Sequence, residues 1–281
     1  MRIPLDADAI KDLTPQEVEI IFSTDKGGEY ILLDVRQPEE YEVAHIPGAI
    51  LTPLGELEVR HGELARGKKI IVYCRSGKRS MAGAILLSGL GFKYVYNMEG
   101  GILGWPYKTI GGTPAADATL IPTTSGLRDV LLVAIELERG SRDFYIAAAD
   151  EISSSELKAI LQGLAEVEER HMERLYTKAA NLLDDPQFPK IEDLQQKGAQ
   201  YIEGGIEVSI ALDKVEEQLF DELSALEIAL EKEYRSYDFY RRTSVIIGSP
   251  DTRELLLELA AEERNHSDIV LKRIVETVRL Q

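Results

Sequence analysis

Tyr73-Cys74-Arg75-Ser76-Gly77-Lys78-Arg79-Ser80 is the stretch from which the first part of the chain can be read, and it holds the only cysteine among 281 residues. Ahead of it Ile70-Ile71-Val72-Tyr73 is an unbroken apolar run, the pattern of a buried strand. Behind it Met81-Ala82-Gly83-Ala84-Ile85-Leu86-Leu87 has the pattern of a packed helix. A strand, a tight loop and a helix aim the loop amides and the helix N-terminus at the cysteine sulfur, and Arg75, Lys78 and Arg79 add positive charge. Both effects favour thiolate over thiol. The plainer alternative is a cysteine that serves as one more buried apolar residue; three cations within five residues stand against it. The nucleotide-binding loop G-x-x-x-x-G-K-[ST] does not fit, because Val72 stands at its first glycine and Arg79 follows Lys78.

Outward from this loop, the first part of the chain alternates short apolar runs with helical patterns. Thr14-Pro15-Gln16-Glu17 supplies a capping residue, a proline at the first helical position and a glutamate three after the cap, so a helix is expected to start there. Tyr30 to Val35 and Tyr94-Val95-Tyr96 read as further strands. Strands separated by helices imply a largely parallel sheet, whose ligands gather at the strand C-terminal ends. Asp34, Arg36 and Cys74 lie just past such ends and could share one mouth, although a carboxylate after a strand also serves to cap a loop. His45, in a Pro-Gly turn, reads as a structural hydrogen bonder rather than a base.

Leu32-Leu33-Asp34-Val35-Arg36-Gln37-Pro38-Glu39-Glu40-Tyr41, Ala44-His45-Ile46-Pro47-Gly48-Ala49, the Cys74 loop, and Gly100-Gly101-Ile102 through Trp105 together resemble the rhodanese-type sulfurtransferases over nearly all of residues 1 to 110. A cysteine phosphatase would carry arginine six residues after its nucleophile. Here that position is Ser80, and Arg79 closes a loop one residue shorter, suited to a smaller anion. The resemblance implies that Cys74 takes a sulfane sulfur from thiosulfate or another donor and holds it as a persulfide. It assigns Arg75, Arg79, Asp34 and Arg36 to catalysis, and Ser76, Gly77, Lys78 and Ser80 to the bound anion.

Thr109 to Gly126, with Gly111, Gly112, Pro114 and Pro122, has almost no apolar periodicity and reads as a linker. The division expected is a first domain over 1–110, a linker over 111–125 and a second domain over 126–281. Beyond Thr124 lie 33 of the 49 acidic residues but 19 of the 32 basic ones, so that part carries −14 of the net charge of −17. Such charge disfavours nucleic acid or an anionic membrane as partner. One cysteine excludes an intramolecular disulfide and any C-x-x-C metal knuckle. No run of signal-peptide or membrane-span length is evident. The expectation is a cytoplasmic protein.

The second part contains an internal repeat. Glu136-Leu137-Glu138 before Phe144-Tyr145 recurs as Glu231-Lys232-Glu233 before Phe239-Tyr240; Glu168-Glu169-Arg170-His171 recurs as Glu263-Arg264-Asn265-His266; one offset of 95 relates both pairs. Glu-x-x-His puts a carboxylate and an imidazole on one helical face, one turn apart. Two such pairs with two single glutamates make the six-residue set Glu138, Glu168, His171, Glu233, Glu263 and His266, the carboxylate di-iron pattern of four-helix bundles. Four carboxylates and two imidazoles suit two iron ions, or manganese, better than a structural zinc. Glutamates on solvated helix faces are the plain alternative. Ser153 with Glu156 is expected to cap the second helix, and Ser249-Pro250 to open the fourth.

This half resembles the rubrerythrin branch of the ferritin-like superfamily, so the fold expected is an α/β rhodanese-like domain followed by an all-α four-helix bundle. Glu168 and Glu263 would bridge the metals, with Tyr145 and Tyr240 hydrogen-bonded to the carboxylates around them. Burying four carboxylates without metal is costly, so the bundle is expected to lose stability on metal removal. Two departures weaken a peroxidase role: the chain has no cysteines for a rubredoxin module, and Ser236 stands where the family carries a further glutamate. A bundle that binds or stores iron without redox turnover is the alternative, and residues 184–213 form a longer crossover than a bundle needs. The partners expected are a small sulfur-containing anion, an electron donor of unassigned identity and a second copy of the chain in a dimer.

Overall fold

The computed structural model describes residues 10–112, 120–196, 198–202, 205–212 and 221–280; parts of the expected first domain (1–9), linker (113–119) and crossover (197, 203–204, 213) lie outside the described residues. The first domain is built on one five-stranded sheet in the order β1-β5-β4-β2-β3, comprising β1 (Lys11–Leu13), β2 (Tyr30–Asp34), β3 (Ala49–Leu51), β4 (Lys69–Tyr73) and β5 (Val95–Met98). Every pairing is parallel. Burial on both faces explains the unbroken apolar runs of β2 and β4. Ile31, Leu33, Ile70 and Val72 enter one core, and Leu32, Ile71 and Tyr73 enter the other, with Trp105. The edge strands β1 and β3 are only three residues long and carry too little pattern to be seen in sequence.

Helix α1 (Pro15–Thr24) starts at its capping box: Thr14 Oγ1 accepts the Glu17 amide at 3.2 Å, and the Glu17 carboxylate accepts the Thr14 amide at 2.8 Å. Helix α2 (Pro38–Val43) follows β2, the single turn α3 (Leu57–Arg60) follows β3, and α4 (Lys78–Gly89) follows the Cys74 loop.

The four bundle helices run Leu127–Glu151, Ser155–Leu182, Glu222–Ile246 and Pro250–Leu280. Only residues 152–154 and 247–249 separate the members of each pair, which makes them antiparallel neighbours. The second helix is capped one residue later than its sequence suggests: Ser154, not Ser153, accepts the Leu157 amide, at 3.3 Å. The fourth opens at Ser249-Pro250 as expected, with Ser249 Oγ accepting the Thr252 amide at 3.3 Å. Part of the linker belongs to the bundle, since Ile121 is 1% exposed in its core.

The crossover between the pairs contains a helix (Ile191–Gln196), a two-stranded hairpin (Tyr201–Ile202 with Ile206–Glu207) and a further helical turn (Val208–Leu212). It lies against the first bundle helix at Gly140, where a Cβ atom would come within 1.8 Å of the Tyr201 carbonyl oxygen. Only glycine permits that approach. Buried Arg139 next to it donates to the Leu194 carbonyl at 2.6 Å.

The sheet domain rests on the third and fourth bundle helices through Val245, which packs against the core of Ile31, Leu33 and Val72, and through polar contacts. The Gly48 amide donates to Asp238 Oδ1 at 2.7 Å, Arg241 binds Asp25 and the Tyr30 carbonyl, Arg264 pairs with Glu19, and Lys108 pairs with Glu231 at 2.6 Å.

Candidate active and metal sites

Cys74 leaves the C-terminal end of β4 and is 1% exposed. Gly77, with φ +90°, caps α4 in the left-handed region and turns its amide back to the sulfur, donating to Sγ at 3.2 Å. Ser80 Oγ, on the first turn of α4, lies 3.5 Å from the same sulfur. Burial alone would raise the Cys74 thiol. The Ser80 hydroxyl and the Ser80, Ser76 and Gly77 amides outweigh it, and the thiol sits below its ordinary value. The floor of the loop is fixed by the turn Gly101–Gly104, whose neighbouring amides Ile102 and Leu103 donate to the Cys74 and Arg75 carbonyls at 2.8 and 3.1 Å. Arg75, Ser76 and Lys78 are exposed at the rim.

Arg79 is held in place by a carboxylate that sequence reasoning did not single out. Its guanidinium donates from Nη1 and Nη2 to both oxygens of Glu40, each at 2.7 Å, and these bonds hold the Glu40 carboxyl down at about 2. Glu40 lies on α2, 39 residues away in sequence, so only the fold makes the pair.

Asp34 and Arg36, expected near a mouth shared with Cys74, are 0% and 4% exposed and bound to each other, with Arg36 Nη2 2.6 Å from Asp34 Oδ2. Arg36 also donates to the Ala44 carbonyl at 2.7 Å. Their place is a buried ion pair that fixes the turn after β2. His45 stacks on Tyr41, its Nδ1 lies 3.0 Å from the Tyr41 carbonyl oxygen, and Nε2 faces Asp238 at 3.5 Å across the domain seam.

In the bundle, the structure gathers the six carboxylate and imidazole residues into two triads. Glu138, Glu168 and His171 form one, and Glu233, Glu263 and His266 the other; within each, the donor atoms lie within 4.8 Å of one another. His171 Nδ1 is 3.4 Å from both Glu138 Oε2 and Glu168 Oε2, and His266 Nδ1 is 3.5 Å from Glu233 Oε2 and 3.3 Å from Glu263 Oε2. The two imidazoles stack at 4.1 Å between ring centroids, so the triads are adjacent. Glu168 and Glu263 each belong to their own triad.

Lys232, quoted in the repeat but given no role there, also reaches this cluster. It is 4% exposed, and Nζ lies 2.5 Å from Glu168 Oε1 and 3.5 Å from Glu233 Oε1. Burial alone would raise the Glu168 carboxyl; the Lys232 ammonium and His171 outweigh it and hold the group at about 2. Burial likewise would lower His266, and Glu233 and Glu263 carry it up to about 9. The signal for Lys232 in the sequence was the repeat itself, which aligns it with Leu137. Tyr145 and Tyr240 are each 1% exposed, and the Tyr145 ring centroid is 5.7 Å from Lys232 Nζ. Ser141 and Ser236, each three residues beyond the first glutamate of its half, are both fully buried.

The donor set fits divalent metal. Glu168 Oε2, Glu233 Oε2 and His171 Nδ1 are buried without a hydrogen bond of good geometry, a condition that protein groups alone seldom leave in place. Carboxylate and imidazole without thiolate is the donor chemistry of iron and manganese.

A family model described as Rubrerythrin matches residues 129–274, and one described as Rhodanese-like domain matches residues 17–107. The putative sulfur carrier protein YrkF of Bacillus subtilis is 47% identical over 78 residues, which are 28% of this chain and 42% of that protein. A sulfurtransferase of Allochromatium vinosum is 34% identical over 77 residues, 27% of this chain and 72% of that protein. Among solved structures, a rhodanese-related protein of Thermoplasma volcanium is 32% identical and covers 36% of this chain and 97% of its own, with a TM-score of 0.32. The chain thus spans under half the length of the first of these relatives. Among the described residues no helix is long and apolar enough to cross a membrane.

Proposed function

We propose, for a chain that belongs to the rubrerythrin family over residues 129–274 and carries a rhodanese-like domain over 17–107, two chemistries on one polypeptide: sulfur transfer at Cys74 and iron chemistry in the bundle. The observation that carries the first is the focus of the Gly77 amide and the Ser80 hydroxyl on Cys74 Sγ. In this reading the Cys74 thiolate attacks the outer sulfur of thiosulfate. The S–S bond to the sulfonate breaks, sulfite leaves with the bonding pair, and the sulfur stays on Cys74 as a persulfide. A nucleophilic acceptor then takes the outer sulfur and returns the thiolate. The loop amides stabilise the anionic sulfur in both steps. Arg79, braced by Glu40, and the rim cations Arg75 and Lys78 draw in the anion.

Cys74→Ser tests this part. Transfer of sulfur from thiosulfate to cyanide, followed as thiocyanate, is expected to vanish with fold and metal content unchanged. Turnover at the wild-type rate in the serine variant would sink the reading.

In the bundle, Glu138, Glu168 and His171 would hold one iron ion and Glu233, Glu263 and His266 the other. When bound, two such ions supply redox chemistry suited to reducing peroxide or oxidising ferrous iron. A second reading, iron binding or storage without redox turnover, is favoured by Ser236 at the place of a further carboxylate. Iron stoichiometry beside peroxide consumption separates the two: two tightly held ions with peroxide turnover support the enzyme, and iron without turnover supports the store.

A further inference from the structure

Lys232 is a cation already inside a cluster built for cations. Its register partner in the first half of the bundle, Leu137, is an ordinary core residue at 2% exposure, whereas Lys232 at 4% exposure is an ammonium in the same setting. A buried ammonium needs anionic partners. Lys232 has one from each triad, Glu168 Oε1 at 2.5 Å and Glu233 Oε1 at 3.5 Å. Each of these glutamates turns its other oxygen, Oε2, toward the histidine of its own triad, at 3.4 and 3.5 Å. Lys232 therefore competes for one oxygen of each carboxylate, and more closely for that of Glu168. It also lines a cavity of about 770 Å³ walled by Tyr145, Ile202, Ile206, Ile228 and Leu271. That cavity has room for the displaced side chain.

We propose that Lys232 is an internal counter-cation that metal must displace. In the metal-stripped protein it neutralises Glu168 and Glu233, so that the bundle stays folded where four buried carboxylates alone would strain it. When the Glu138–Glu168–His171 triad takes an ion, Lys232 leaves Glu168 for the adjoining cavity. The two triads consequently fill in order, Glu233–Glu263–His266 first. This rests on the reading of the triads as a metal centre.

The test uses the full chain, stripped with chelator and titrated without oxygen with ferrous iron. Wild type is expected to remain folded when stripped and to bind iron in two separable steps. Lys232→Leu, which installs the residue of the other half, should melt at least about 6 °C lower when stripped. Its weaker binding step should tighten by about tenfold or more and approach the stronger one. Lys232→Arg, which keeps the charge, should retain the wild-type melting point. Lys232→Met carries the same readings if the leucine variant does not fold with iron. A stripped Lys232→Leu protein as stable as wild type overturns the proposal, and so do two iron affinities unchanged by the substitution. If wild type binds no iron, it is the metal-centre reading that fails, and the stripped melting points still decide the role of Lys232.

Discussion

The two halves of the bundle keep the same residues, 95 apart, at the six carboxylate and imidazole positions and diverge on their outer faces. Glu138 and Glu233, Glu168 and Glu263, His171 and His266, and the buried Ser141 and Ser236 correspond one to one. On the outside, Glu169 of the first half binds Arg142 and Gln195, the latter from the crossover. Arg264, at the same register in the second half, binds Glu19 of the sheet domain. Asp143 pairs at the half-exposed surface with its neighbour Arg142, whereas its counterpart Asp238 is buried against Gly48, Arg242 and His45. A repeated helix pair thus holds its inner face constant except where Lys232 replaces Leu137, and each outer face is adapted to the segment that covers it.

The sharpest way to break this comparison is at the ligands. His171→Ala and His266→Ala are expected to have the same effect: each should lower bound iron from about two ions to about one per chain. Metal analysis after gel filtration checks this, and sulfur transfer at Cys74 should be untouched in both. Loss of both ions in one variant and none in the other would show that the two triads do not hold one ion each.

The next effect should be unequal. Asp238→Ala removes the partner of Arg242 and of the Gly48 amide in a buried setting, at about 3–5 kcal/mol, whereas Asp143→Ala should cost below about 1 kcal/mol. Urea denaturation at neutral pH measures both. Acid sharpens the contrast. Burial alone would raise the Asp238 carboxyl, but Arg242 and His45 hold it down at about 2, against an ordinary 3.8. A depressed carboxylate stabilises the fold above its unfolded value and loses that contribution as pH falls through its folded one. About 2 kcal/mol should therefore fade between roughly pH 4 and pH 2. The alanine variant should lack this component, and an unchanged acid profile would contradict it.

The smallest difference is expected at the outer pair. Arg264→Ala should cost about 1 kcal/mol, and Glu169→Ala a few tenths, because its carboxylate is more exposed. Calorimetry distinguishes them in kind as well as size: the arginine variant should separate the melting of the sheet domain from that of the bundle, and the glutamate variant should not.

What was legible in the sequence is what local periodicity encodes. Glu-x-x-His falls on one helix face by the 3.6-residue period, and the 95-residue offset joins the six residues into a set. Cys74, Gly77 and Ser80 lie within one strand-loop-helix turn, so their convergence is local too. Asp34 and Arg36 show the limit of such reasoning. Position past a strand end puts them near a mouth, but two opposite charges two residues apart find each other first. The brace of Arg79 by Glu40 and the seam contact of Asp238 with Gly48 span 39 and 190 residues, and no local pattern announces either. Lys232, between two glutamates, reads as a solvated helix charge until packing buries it.

The polar seam between the domains also bears on synthesis. Arg241 follows its partner Asp25 by 216 residues, and Arg264 follows Glu19 by 245. At about 5–20 residues per second on the ribosome, the sheet domain waits roughly 10–50 s for the helices that will cover it. The aspartate, the glutamate and the glycine amide on the sheet-domain side of this seam can spend that interval hydrated, beside the smaller apolar contact that Val245 later makes. A broad apolar patch would instead invite other nascent chains, so the charges that fasten the finished protein also protect its first half before the second exists.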